Sequence, residues 1–280
     1  YLISNRDELI RLSSNSADWD KHFLQTADID LGDCEWQPIG TLSATNPSLT
    51  GNFFSGVYDG GRFEVSGLNI GSQPGLAAGF FGAVVGTADT IVRNIVISGE
   101  IDSDDIYVGG LAGYGEGQVA SRISVSNVFS RMTISATSSS SNPLPYIGGL
   151  LGFAQNVRVG FAKFSGEIDA AYRFANVAGL AGYTLRGGFN DSYAIGEYSG
   201  GSRFKSGLLG WGEGNLTRGY SVAVDADAGF TNQNHTANGV VWDTSIGPEF
   251  AKRGGSNVTG TTGLPTETMQ LLDTYKDEGW

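Results

Sequence analysis

Large apolar residues recur along the chain in a short motif, G-(L/F)-x-G, in which two glycines enclose them. Five copies are separated by steps of 31, 39, 30 and 28 residues, and a degenerate sixth copy follows 32 residues later. The copies begin at Gly79, Gly110, Gly149, Gly179, Gly207 and Gly239. A unit of about 30 residues cannot bury its own apolar face, so a repeat of this period predicts units that stack on their neighbours.

A β-branched segment of strand type follows most of these motifs after a polar, Gly-rich turn. These segments span residues 91–97, 123–129, 157–161, 193–195 and 220–224. Two or three short strands per unit leave no room for a crossover helix. We therefore predict an all-β chain folded as a single-stranded parallel β-helix, right-handed, with seven or eight coils.

The pattern changes at both ends and at one point in the middle. Residues 4–13 predict a capping helix with an apolar side of Leu9, Ile10 and Leu12, and Pro265 opens a second predicted helix that runs to about Lys276. The low-complexity segment 135–145 accounts for the long 39-residue step as a surface loop. The expected organisation is one domain, 1–280, with a cap and first coils at 1–78, repeats at 79–245, and a C-terminal loop and helix at 246–280, cut from a larger exported protein.

Composition narrows the function classes. The net charge is -12, which argues against nucleic acid or an anionic bilayer as a partner, and no apolar run is long enough to span a membrane. A single cysteine, Cys34, rules out an internal disulfide, and two histidines make a transition-metal site improbable.

The chain resembles the GLUG-motif repeat proteins, which are named for this glycine–leucine signature. Three further stretches carry the resemblance: DIDL with WQPIG at 28–40, YDGG to LNI at 58–70, and WDT, TGL and GW between 242 and 280. Such repeats occur in large bacterial adhesins similar to filamentous-haemagglutinin domains, and beside protease domains in some exported peptidases. The resemblance implies an extracellular or cell-surface location and no common catalytic residues.

The residue after each motif is aromatic in four consecutive copies: Tyr114, Phe153, Tyr183 and Trp211. Stacked in register, these side chains would lie about 4.8 Å apart along one edge, where aromatic rows can bind sugar faces. Packing over the glycines at a corner is the alternative interpretation.

Two sets of acidic residues are weaker candidates. Asp102, Asp104 and Asp105 cluster in one turn, as Asp225 and Asp227 do in another, and could bind Ca²⁺, but no known calcium-loop spacing is present and ordinary turn chemistry is the favoured explanation. Glu100, Glu167 and Glu197 occupy equivalent repeat positions and form either a pair of close carboxylates or a solvated face.

The sequence thus favours a non-catalytic adhesion domain that binds a glycan or a cell-surface partner, next to other domains of its parent chain and without a cofactor. A rigid spacer is one alternative. A polysaccharide lyase or hydrolase is another, for which Lys163, Arg131, Tyr193, Asp191 and Glu197 are the residues that could share a face, although no motif assembles them.

Overall fold

A computed structural model describes residues 1–32, 34–45, 48–140, 144–202, 204–224, 228–230, 236–243 and 261–264. Strands occupy most of this part of the chain, and all strand-to-strand ladders between them are parallel. The strands are β1 (Leu2–Ile3), β2 (His22–Gln25), β3 (Ile29–Asp30), β4 (Val57–Ile70), β5 (Ala77–Ala78), β6 (Phe81–Gly86), β7 (Ile91–Ser103), β8 (Tyr107–Gly109), β9 (Ala112–Gly117), β10 (Ile123–Ala136), β11 (Tyr146–Gly148), β12 (Leu151–Gln155), β13 (Val157–Ala170), β14 (Asn176–Ala178), β15 (Ala181–Ser199), β16 (Phe204–Val224), β17 (Ala228–Phe230), β18 (Thr236–Asp243) and β19 (Thr261–Leu264).

These strands form a β-solenoid of about six turns, which confirms the predicted parallel β-helix. The long strands β4, β7, β10, β13, β15, β16 and β18 stack in that order, each hydrogen-bonded to the equivalent strand of the next coil. The described residues form about six turns, fewer than the seven or eight predicted.

In its first four copies the repeated motif forms a bend between a short strand and the strand that follows it, and the fifth copy lies within β16. Its second and third residues are both buried in all five full copies, with at most 2% of any side chain exposed. The bend explains this, because it removes the alternation of a straight strand and turns both side chains toward the interior. Leu150 and Leu151 are one such pair.

The flanking glycines are required because neighbouring coils approach closely there. A Cβ built on Gly152 would lie 2.5 Å from the carbonyl oxygen of Gly113 in the preceding coil, and one built on Gly210 would lie 2.2 Å from that of Gly182. No side chain fits at that separation. The motif therefore encodes the coil-to-coil contact as well as the core.

A second kind of corner lies inside the long strands. At this corner, one non-glycine residue of each coil adopts a left-handed backbone conformation, with φ between 50° and 71°; Asn156 and Arg186 do so elsewhere in their coils. In stacking order these corner residues are Arg62, Asn94, Asn127, Phe161, Asp191 and Arg218. The chain turns at each of them, and successive inward-facing residues are three apart across the corner instead of two, as Val125 and Val128 show.

The N-terminal end of the solenoid is capped by α1 (Arg6–Ser14), followed by a 3₁₀ turn at Ser16–Asp18. The Asn5 side chain accepts the Glu8 N–H at 3.1 Å, and the Glu8 carboxylate accepts the Ser4 N–H at 2.7 Å, a reciprocal arrangement that fixes the first turn. Leu9 and Leu12 are buried, as predicted. Ile10 is 37% exposed, so it lies beside the apolar side of the helix.

Two other predictions concern the loop and the far end. Strand β10 continues to Ala136 and β11 begins at Tyr146, so the inserted loop is slightly shorter than the predicted 135–145. The predicted helix after Pro265 lies outside the described residues. Within the described part, no helix is long and apolar enough to cross a membrane.

Candidate functional site

The aromatic residues that follow the motif form a single column on the outside of the solenoid. Ladder register pairs Tyr114 with Phe153, Phe153 with Tyr183 and Tyr183 with Trp211, which confirms the predicted alignment. Ring centroids of the first two pairs are 4.6 and 4.7 Å apart, with interplanar angles of 1° and 3°. The spacing is that of the strands themselves.

The orientation of these rings limits what they can bind. Rings that stack face to face along the axis cover one another's faces, and Phe153 is covered on both sides. Tyr107 and Tyr146 pack across the column as a second layer, with centroids 5.3 Å from Tyr114 and 4.9 Å from Tyr183. The inner part of the column is therefore a small apolar cluster outside the main core, as the packing interpretation expects.

The tyrosine hydroxyls in this cluster have pKa values above that of free tyrosine. Burial raises the pKa of Tyr114, and its hydrogen bond to the Glu116 carboxylate raises it further. Burial, with the neighbouring tyrosines, raises the pKa of Tyr146 to about 12. The column is most open to solvent at its last residue in chain order, Trp211, which is 40% exposed. Glycan binding by the column stays a prediction, and Tyr183 and Trp211 are where it can be tested.

The acidic turn does not gather its carboxylates. Asp102 and Asp104 are exposed, whereas Asp105 is buried and accepts hydrogen bonds from Ser103 Oγ at 2.6 Å and from the Gln73 N–H at 2.9 Å. Burial raises the pKa of Asp105 despite these two bonds. Among the residues that the structure describes, no three His, Cys, Asp or Glu side chains converge as a metal site requires. Asp225 and Asp227 lie outside the described residues.

The equivalent glutamates lie in register, as predicted. Glu167 pairs with Glu197 on the next coil, and Thr133 separates Glu167 from Glu100. All three carboxylates are on the exposed outer face. The arrangement is that of a solvated surface.

A groove runs along the solenoid axis beside the left-handed corners. One wall is formed by corner residues, and the other by residues two positions further along four of the five long strands. It is lined by Arg62, Asn94, Ile95, Val96, Asn127, Val128, Phe129, Phe161, Lys163, Asp191 and Tyr193. We call it the corner groove. Its volume is about 710 Å³, and it extends over five coils, about 19 Å at the usual strand spacing.

Phe161 is the unusual residue of the corner wall. The neighbouring corners hold Asn127 and Asp191, short polar residues that tolerate left-handed backbone. Phe161 takes the same conformation, with φ 53°, and its side chain is 67% exposed. A bulky side chain at such a φ costs about 1–2 kcal/mol, and exposing the ring brings no burial to offset that cost. Strain of this kind concentrates where a residue contacts a ligand.

The opposite wall is a stack of rings and one cation. Lys163 Nζ lies between two rings, 4.3 Å from the Phe129 centroid and 5.2 Å from the Tyr193 centroid. Tyr193 in turn stacks on Tyr220 of the next coil at 4.4 Å. The rings fix the position of the ammonium group, and cation–π attraction stabilises it there.

The charges of the groove are not balanced. Asp191 is neutralised by Arg218, which donates two hydrogen bonds to its carboxylate, the longer at 2.6 Å. The cations Arg62 and Lys163 have no ion-pair partner within the described part of the chain. The groove therefore carries unpaired positive charge in a protein whose net charge is -12.

The structure brings together part of the set considered for an enzyme. Lys163, Tyr193 and Asp191 line the same groove. Arg131 is not among the lining residues and lies over the Phe129 ring at 4.7 Å, while Glu197 belongs to the separate glutamate column. His22 is in β2 near the N-terminal cap, and His235 is outside the described residues.

Sequence reasoning missed Phe161 and the groove itself. Residues 157–161 have the pattern of a strand, in which Gly160 breaks the side-chain alternation without by itself locating a turn. A signal was present nonetheless: the inward-facing residues step by three instead of two at the same place in each coil. That change of step locates the corner, and Phe161 is then seen as an aromatic residue at a position otherwise held by polar ones.

Comparison with known proteins supports the architecture. No family model matches the chain, and no curated protein matches it. Among solved structures it is similar to a Bacteroides ovatus protein described as a "putative immunoglobulin A1 protease", with a TM-score of 0.51 and 15% sequence identity. The alignment covers 99% of this chain and 87% of that one. At this identity the similarity shows a shared β-helical fold.

Proposed function

We propose that this chain is a saccharide-binding domain of an exported bacterial protein, and that it holds an extended glycan in the corner groove without cleaving it. The observation that carries the proposal is Phe161, an exposed and conformationally strained aromatic residue on the wall of a groove of about 710 Å³. An aromatic ring offers a flat, weakly hydrated surface against which the C–H face of a sugar packs.

Polar groups beside the ring supply the second half of sugar recognition. The Asn127 amide donates to Asn94 Oδ1 at 2.8 Å, and Asn94 donates to Asp59 Oδ1 at 3.0 Å. This side-chain ladder holds the amides in place along the wall. Saccharide sites combine such fixed hydrogen-bonding groups with one or two aromatic surfaces. An exported adhesion domain also agrees with the resemblance to GLUG-motif repeats and with the acidic composition.

The test is a glycan array with the isolated chain and a Phe161→Asn variant. Asparagine occupies the same corner at positions 94 and 127, so this change removes the ring while keeping a residue suited to the left-handed backbone. We expect saturable binding by the wild-type chain and its loss in the variant. The matched control is Phe174→Asn, which removes another partly exposed ring, 37% exposed, outside the groove. Equal binding by the wild type and both variants would refute the role of Phe161.

A polysaccharide lyase is the second candidate, and one observation favours it: Lys163, Tyr193 and the Asp191 carboxylate line one groove. Such a reaction needs a base beside a group that neutralises the sugar acid. Product analysis on the glycans that bind separates the two functions. Shortened, unsaturated products that disappear in Tyr193→Phe would replace the binding function with the enzyme.

A further inference from the structure

We propose that the corner groove is selective for saccharides that carry carboxylate groups, such as polymers of uronic acids, and that Lys163 binds the carboxylate. This inference rests on the proposed function, since it names the ligand class of the same groove. It is carried by the position and the unpaired charge of Lys163 on the wall that faces Phe161.

The position of the ammonium group is set by its neighbours. Phe129 and Tyr193 lie on successive coils on either side of Lys163, at 4.3 and 5.2 Å from its Nζ. A lysine on an open surface samples many rotamers, and ordering it costs free energy when a ligand binds. Here the two rings restrict the side chain before binding, so less of that cost remains.

The charges around the groove favour an anion. The carboxylate on the lining, Asp191, is occupied by the Arg218 guanidinium. Arg62 is exposed at the other end of the lining and, like Lys163, forms no ion pair with any described residue. The lining therefore offers two cations that are spaced along the solenoid axis. A linear polymer that lies along this axis and carries a charge on each unit can contact both of them.

A ring and a cation on opposite walls distinguish this ligand from other anions. An acidic peptide could pair its carboxylates with Lys163, but its backbone has no apolar face that would stack on the Phe161 ring. A uronic acid presents both a carboxylate and an apolar ring face in one unit. We therefore assign the groove to acidic saccharide, and acidic peptide becomes an outcome of the test.

The experiment is titration of the chain with polygalacturonate, alginate and hyaluronate, with methyl-esterified polygalacturonate as the neutral match and polyglutamate as the acidic peptide. We expect at least one acidic polysaccharide to bind, and to bind about tenfold more tightly than an uncharged counterpart. Lys163→Met weakens that binding by about the same factor, and Lys163→Arg restores it. Lys21→Met is the control, since it removes the same charge from an exposed lysine paired with Asp20.

Each outcome decides the inference. Binding of an acidic polysaccharide that falls in Lys163→Met, but not in Lys21→Met, supports it. Equal binding of the esterified polymer, or polyglutamate bound as tightly as the polysaccharides, overturns the assignment. If none of the three acidic polymers binds while neutral glycans on the array do, the acidic assignment fails and the proposed function stands. If no glycan of either kind binds, both fail. Circular dichroism of each variant confirms that it is folded.

Discussion

Replacing Gly152 with alanine tests whether the repeated glycines set the distance between coils. The added Cβ would lie 2.5 Å from the Gly113 carbonyl oxygen and 2.7 Å from the Val108 backbone nitrogen, where real Cβ contacts essentially never fall below 3.0 Å. Both neighbours are backbone atoms of the preceding coil, so no side-chain rotation can relieve the clash. The coils must separate locally by about half an ångström, in an interior packed as densely as a crystal.

Overpacking of this kind costs about 1–3 kcal/mol, and we expect the upper part of that range because two backbone contacts are violated at once. For a chain of this size, that corresponds to a fall in melting temperature of about 5–10 °C. Gly152 does not have a left-handed φ, so the change tests space alone.

Gly188→Ala is the matched control, since no atom lies within 4 Å of its added Cβ and its φ is also outside the left-handed region. We expect it to be neutral or to stabilise the chain by up to about 1 kcal/mol. Thermal melts followed by circular dichroism, with urea midpoints as a second measure, compare the two. A Gly152→Ala chain that melts no lower than Gly188→Ala would refute the steric account of the motif.

Three further predictions follow from the corners, the buried charge and the open end of the aromatic column. Phe161→Asn raises the melting temperature, because it relieves about 1 kcal/mol of backbone strain without removing buried surface; an unchanged or lower value in a thermal melt would contradict this. Burial raises the pKa of Asp59, but hydrogen bonds from Asn94, Gly61 and Arg93 outweigh it and hold the pKa below its ordinary value. The ionised Asp59 carboxylate therefore stabilises the folded state, and this contribution is complete above about pH 4 and is lost as the pH falls through the folded pKa. Urea midpoints of Asp59→Asn consequently fall less steeply on acidification than those of the wild type. Trp211→Ala leaves the free energy of unfolding from urea melts within about 1 kcal/mol of the wild type, because the ring is 40% exposed, and it abolishes neutral-glycan binding only if the column contributes to recognition.

The repeat made the architecture readable from the sequence. A period near 30 residues with short β-branched segments permits few other folds, and register followed from it, so that the alignment of Tyr114 to Trp211 could be stated in advance. What register does not determine is the direction of a ring. Whether stacked aromatic residues present faces or edges depends on side-chain rotamers and on the second layer of Tyr107 and Tyr146, which belongs to another strand of the coil.

Other features depend on backbone conformations that have no composition signature. Positions two and three of the motif are both apolar, and only the bend between them shows that both face inward. The corners at Asn127 and Phe161 place a non-glycine residue in the left-handed conformation, so turn rules that look for glycine at that position do not locate them. The neutralisation of Asp191 by Arg218 depends on side chains 27 residues apart that meet only because the coils stack.

Four of the five coils along the corner groove contribute a residue to each of its walls, so the number of coils sets the groove's length. Duplicating a unit of about 30 residues would extend both walls by one side chain, about 4.8 Å, and leave the existing contacts as they are. Recombination between repeats can supply such a change in a single event. A solenoid of this kind can therefore lengthen its binding site by whole coils without changing the chemistry of the site. Point substitutions at the corners change that chemistry one residue at a time.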